Sequence, residues 1–360
     1  MKFLDVIGAW LNRYFSNEDA IYLIVLITVI LLTLAFLGAY LAPVLSGLVI
    51  AFLLQGLVKT LEGWRCPHLA AVITSFLVFL GVVFALVLIV APVLWQQLQG
   101  VLSLLPSVVE RLQEGLATLV ERFPEFVTQE QVDAVLDQGA RELGNFSAIV
   151  LETAFSQVFS LLGLIIYLVL VPISVFFFLK DRAELLAWMR TLVPTDRPLL
   201  RSVGQEMNEQ LGNYVRGKFI EILIVGAVTF VCFTWRDLNY AALLGVLVGL
   251  SVLIPFVGAA LVTLPVFVIA VIQFGWSWEL GWVMGIYGII QFLDGNVLVP
   301  VLFSEVVDLH PITIIVAVLA FGGLWGIWGV FFAIPLATLI KAIYKAWPLA
   351  RSAEPPPQQA

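Results

Sequence analysis

Charge, cysteine and histidine are all scarce in this 360-residue chain, and each shortage removes a class of function. Only two histidines occur, His68 and His310, so a histidine-based metal centre is not expected. The two cysteines, Cys66 and Cys232, sit in different segments without a CxxC pair, which points to free thiols rather than a disulfide or a metal site. No GxSxG occurs, Ser251 is followed by Val252, and both histidines fall at the edges of apolar runs. The chain therefore lacks the nucleophile and base that an intramembrane enzyme needs. No Walker motif is present, so ATP-driven pumping by this chain is not expected, and no cofactor is implied. A net charge of −7, a pI near 4.9 and the absence of a basic cluster argue against nucleic acid as a partner.

What the chain does have is apolar length. It is 61% hydrophobic and 12% charged, with a mean hydropathy of +1.05. Several runs reach the roughly 20 residues that a hydrocarbon layer about 30 Å thick requires. The expected fold is an all-α polytopic membrane protein with about eight transmembrane segments, some of them broken or re-entrant, plus an extramembrane helical hairpin; its first partner is the lipid bilayer.

Along the chain, Phe3, Ile7, Trp10, Leu11 and Tyr14 fall at helical spacing, so residues 1–20 read as an interfacial helix. No small-x-small pattern closes the first apolar run, which reads as a retained signal-anchor. Residues 21–92 hold three expected spans, Ile21–Gly38, Leu41–Val58 and Leu69–Pro92, with a polar hinge at Lys59–His68. From 93 to 157 an acidic stretch carries nine acidic and three basic residues. Leu98, Leu102, Leu105, Val109, Leu112, Leu116, Leu119 and Phe123 form a heptad seam there, which suits a helical hairpin packing on itself or between subunits of a homo-oligomer. Residues 158–179 form a fourth span and 180–218 an arginine-rich amphipathic linker. Residues 219–345 form a unit of Pro- and Gly-interrupted apolar helices, and 346–360 a disordered tail.

Two stretches, 241–274 and 311–342, are too long for one crossing and short for two. Broken helices or re-entrant hairpins fit that length where protein or a wet cavity surrounds the backbone. Placing both termini, the 59–68 hinge and the 180–218 linker in the cytoplasm puts 14 of the 18 basic residues there, in line with the positive-inside rule.

Asp294 is the carboxylate expected deep within a span, at an insertion cost of roughly 2.5–3.5 kcal/mol. Gln291 precedes it by three residues on the same helical face, and Asn296 is offset. These three, with Glu221 and Gln273, are the candidate substrate or ion path. The other reading makes Asp294 a structural cap where Gly295 and Pro300 open the helix. Pro255, Gly258, Pro265, Gly295, Pro300, Pro311, Gly322, Gly323, Gly326, Gly329 and Pro335 are candidate breaks or hinges, because a proline withholds an amide and a glycine admits close backbone approach. Glu305, Asp308 and His310 read as a loop at the far mouth, with a gate as the sharper alternative. Glu221 lies near the entrance of the fifth span, where pairing with Lys218 is the alternative to a second acidic site.

Five segments carry a family resemblance. IPFVGAALVTLP (Ile254–Pro265), NYVRGK (Asn213–Lys218), QFLDGNVLVP (Gln291–Pro300), DLHP (Asp308–Pro311) and the GG…G..G…IPL pattern (Gly322–Leu336) resemble, in order, signatures of the AI-2E family of transporters, also called PerM-like. Phe256 stands where that family often has tyrosine, and Ala259 where it often has proline. The resemblance implies a bacterial inner- or plasma-membrane transporter with about eight segments, in a family linked to export of autoinducer-2, to sodium–proton antiport and to oligomers. The expected cargo is accordingly a small polar solute or Na+/H+. The competing class is a non-transporting scaffold or passive channel assembled through the heptad region.

Overall fold

The computed structural model describes residues 18–104, 161–192, 198–303 and 309–346, with scattered positions between 130 and 152. Residues 1–17, most of the heptad seam, Glu305, Asp308 and the tail lie outside the described residues. Every described element is a helix: α1 (Glu18–Gly63), α2 (His68–Leu104), α3 (Leu161–Lys180), α4 (Arg182–Leu192), α5 (Pro198–Trp235), α6 (Ala241–Ser251), α7 (Val257–Phe274), α8 (Trp278–Phe303), α9 (Pro311–Trp325) and α10 (Ile327–Ala346). Two carry π turns, α2 at Leu86–Val90 and α8 at Asp294–Leu298. Among the described residues, five helices are long and apolar enough to cross a membrane, and several shorter apolar ones accompany them. Large apolar side chains such as Leu88, Leu168, Leu264 and Leu319 are exposed along them, and the backbone is satisfied inside the helices, as hydrocarbon demands. The chain is an all-α polytopic membrane protein.

Two expected joins are absent. α1 is helical through Gly38–Leu41, where a turn between two spans was expected; Pro43 lies inside it and no residue there has positive φ. The second half of the 180–218 linker runs without interruption into the fifth span as α5, with Pro198 in its first turn, where a missing N–H costs nothing.

The two over-long apolar stretches both fold as hairpins. α6 stops at Ser251, and the chain turns back through Phe256, which holds a left-handed φ of 63°. Gly258 then packs so tightly that a Cβ there would run into the Ser251 carbonyl. Gln273 closes the open end: its Oε1 accepts from Asn239 N–H at 2.7 Å and its Nε2 donates to Asp237 O at 2.6 Å. Both ends of 241–274 therefore lie together, and the unit is a helical hairpin. Pro265 sits inside α7 without breaking it. The second hairpin, α9–α10, turns at Gly326, with φ 59°, and Gly329 meets the Phe321 carbonyl. At 15 residues α9 is shorter than a full crossing, and Pro335 lies within α10.

Both hairpins are laid along α5. Against its second half, a Cβ at Gly249 would lie 2.8 Å from Ile222 O and one at Gly245 would lie 2.8 Å from Phe230 Cβ, so only small residues permit the approach. Against its first half, Val203 and Met207 pack with Leu339 and Ile343. The hairpin tips thus point toward each other near the middle of α5. Trp235, Trp276 and Trp278 mark the open end of the first hairpin as an exposed tryptophan belt.

Gly258→Ala should force the first hairpin apart and cost about 2 kcal/mol as overpacking. Gly56→Ala, with nothing within 4 Å of the added carbon, should be neutral or slightly stabilising. Thermal unfolding in detergent reads the difference, and equal midpoints for the two variants would contradict the packing described.

Candidate functional site

A helix that stops or meets a proline inside an apolar protein leaves a carbonyl without its amide, at a cost of about 1–3 kcal/mol if nothing replaces the donor. Among the carbonyls freed in this way, one in each hairpin takes a side-chain donor from α5. In the first it belongs to Val252, where α6 ends; in the second it belongs to Phe331, because Pro335 stands four residues on and has no N–H. Both are supplied by α5. Lys218 Nζ donates to Val252 O at 2.7 Å, and the Tyr214 hydroxyl donates to Phe331 O at 2.9 Å. Tyr214 and Lys218 are four residues apart, on one face of one helix.

The Lys218 ammonium is buried and needs a counter-charge. Glu221, one turn on, provides it: Nζ donates to Oε2 at 2.8 Å, with the two residues 4% and 1% exposed. A third contact comes from the Phe303 ring, whose centroid lies 5.5 Å from Nζ, within cation–π range. Gly217 makes room for that ring, since a Cβ there would fall 2.7 Å from it.

Asp294 opens the π turn of α8, which packs against α5, and lies within Coulombic reach of both Lys218 and Glu221. The wider turn sends Val299 N–H back to Asp294 O and carries Pro300 without a break. Gly295 has open space around it. The Oδ1 of Asp294 and the Nε2 of Gln291 are both enclosed and have no hydrogen-bond partner. They stand three residues apart on one helical face, one an acceptor and the other a donor. About 25 Å of helix separates this level from the tryptophan end, whether counted along α5 from Trp235 or along α8 from Trp278.

The remaining expected site residues are placed elsewhere or used locally. Asn296 donates to Phe292 O within its own helix at 2.9 Å and is exposed. Gln273 spends its amide on the 237–239 turn. His310 caps α9, accepting from Ile312 N–H at 3.3 Å, and Pro311 opens that helix. Gly322 packs against Val330, while Gly323 faces open space. The Glu221–Lys218 pairing weighed in the sequence is present, while Tyr214, the Val252 carbonyl and the contact of Lys218 with it are what sequence reasoning missed. The available signal was Tyr214, Lys218 and Glu221 at successive helical turns inside and just after NYVRGK.

A profile described as AI-2E family transporter matches residues 20–349. The chain belongs to the AI-2E transporter family. A protein of Escherichia coli (strain K12) carried under a permease name, PerM, is 42% identical over 345 residues, covering 96% of this chain and 98% of its own. YueF of Bacillus subtilis (strain 168), named as a transport protein, is 24% identical over 319 residues, covering 86% and 85%. TqsA of Escherichia coli (strain K12), named an AI-2 transport protein, is 23% identical over 317 residues, covering 88% of each chain. This AI-2E family member is thus a membrane transporter whose charged residues converge where its hairpin tips meet.

Tyr214→Phe should leave the Phe331 carbonyl without a donor and destabilise the transporter by about 1–2 kcal/mol. A lowered thermal midpoint checks this; an unchanged one would show that the hydroxyl is not the carbonyl's partner.

Proposed function

We propose that this transporter carries a small polar solute, of the autoinducer-2 kind or exchanged as Na+ for H+, through a polar focus at Asp294 and Gln291 beside the Lys218–Glu221 pair. The observation that carries the reading is the enclosed, unpartnered Oδ1 of Asp294 next to the equally unpartnered Nε2 of Gln291. Burying either without a partner costs free energy, and a polar solute or ion supplies the missing contact. One ammonium and two carboxylates leave a single negative charge when all are ionised, which supports a cation as cargo or coupling ion. The name of TqsA supports the solute arm of the proposal. Hairpins approaching from opposite ends suit a site reached from one side at a time.

For orientation, the end bearing Lys59, Arg65, Lys180 and Arg182 is assigned to the cytoplasm by the positive-inside rule. His68 ties that end together, with Nδ1 2.6 Å from Glu62 Oε1 and Nε2 3.3 Å from Lys180 O. The tryptophan end then faces outward.

Purified protein in proteoliposomes should move autoinducer-2 or 22Na+ under an imposed proton or sodium gradient. Asp294→Asn should lower that flux about tenfold or more while inserting and assembling normally. Full flux in Asp294→Asn would remove Asp294 from the path, and no flux of either cargo in the parent, with or without a gradient, would contradict the proposal.

A further inference from the structure

Lys218 has more than one carboxylate available to it. Its ammonium rests on Glu221, on the Val252 carbonyl and under Phe303, while the π turn that begins at Asp294 packs against α5 and leaves the Asp294 Oδ1 enclosed and unpartnered. The contact with Val252 is the part that matters mechanically. It ties the tip of the first hairpin to α5, and Ile254, two residues on, packs into the cluster around Tyr214, Phe303 and the second hairpin. Where this ammonium sits therefore determines whether the tip is held.

We propose that Lys218 is a tethered internal cation that exchanges between Glu221 and Asp294, so that the charge state of the Asp294 site decides whether the first hairpin is latched. When Asp294 is neutralised by a cation or proton, Lys218 stays on Glu221 and Val252 and the tip is held. When Asp294 is bare, it competes for the ammonium. The lysine stem is long and flexible enough to swing between groups on facing helices, which a rigid guanidinium fork would not do as readily. As the ammonium leaves, Val252 O loses its donor and the tip loosens. Tyr214 keeps the Phe331 carbonyl throughout, because its hydroxyl is neutral, so the second hairpin stays fixed while the first moves. The charged groups around the ammonium are Glu221 on α5 and Asp294 on α8; Tyr214 adds a neutral hydroxyl one turn below. This deepens the reading of Asp294 as the transport site, and its experiment contains no cargo, so its failure is separable from a failure to find flux.

The experiment measures how fast Ile254→Cys, in a full-length background with Cys66→Ala and Cys232→Ala, reacts with a membrane-impermeant methanethiosulfonate reagent in nanodiscs. Glu221→Gln keeps a hydrogen-bonding side chain of the same size but releases the ammonium to Asp294; the labelling rate should rise about fivefold or more, the response to roughly 1 kcal/mol. Asp294→Asn removes the competitor, and the rate should stay at the parent value or fall. The double variant Glu221→Gln/Asp294→Asn distinguishes exchange from mere loosening: with the competitor gone the rate should fall back below that of Glu221→Gln, whereas a rate equal to Glu221→Gln would overturn the exchange. Lys218→Met should give a rate at least as high as Glu221→Gln; where it does not fold, the two carboxylate variants decide the matter. A rise in Asp294→Asn, or no rise in Glu221→Gln, would overturn the proposal.

Discussion

Two backbone carbonyls that lack a helical amide and take side-chain donors from one helix set the terms for this fold. In water, a helix end is hydrated at little cost; among apolar side chains and lipid, each freed carbonyl must find a donor within the protein. Val252 and Phe331 find theirs on the same helix one turn apart, Lys218 for one and Tyr214 for the other. α5 is thereby fixed against both hairpins, and the hairpins against each other. The glycine seam at Gly245 and Gly249 and the packing of Val203 and Met207 serve the same arrangement, because they bring the hairpin backbones close enough for those side chains to reach.

The choice of lysine for one of these contacts carries a further consequence. A hydroxyl satisfies a carbonyl and introduces no charge; an ammonium must also be neutralised. Glu221 follows from Lys218, and the pair then lies beside Asp294, where α8 widens into a π turn. A structural solution to a broken helix has therefore placed a buried ammonium–carboxylate pair on the helix against which the Asp294 turn packs. The polar focus of the molecule is not an isolated acid in an apolar helix but one side of a three-charge cluster at a hairpin tip.

Much of this was legible in the sequence. Apolar length gave the polytopic helical class, and the spacing of Pro255 and Gly258 gave the break in 241–274. The glycine run gave the turn in the last hairpin, although which glycine turns is a matter of φ, and Gly326 alone adopts it among its neighbours. Prolines misled where local geometry absorbed them. Pro265 and Pro335 remain inside helices, the carbonyl that Pro335 frees being served by Tyr214, and Pro300 is carried by the π turn. Asn296 and Gln273 looked like path residues because they are polar in apolar surroundings, yet both satisfy nearby backbone. Lys218 was the least legible. Hydropathy assigns it to a polar linker, and its partner carbonyl lies 34 residues away in the chain. Only the folded hairpin shows why a lysine belongs there.

The most direct test of this account is a double-mutant cycle on the buried pair, read as unfolding free energy in a lipid or detergent environment. Lys218→Met, which leaves the buried Glu221 carboxylate uncompensated, should cost about 3–5 kcal/mol, and Glu221→Leu should cost less because the ammonium can pass to Asp294. The double variant, which removes both charges, should recover at least about 2 kcal/mol of the summed loss as coupling. Costs that simply add would mean that the ammonium and carboxylate do not depend on one another, and the three-charge cluster at the hairpin tip would not be the feature that organises this transporter.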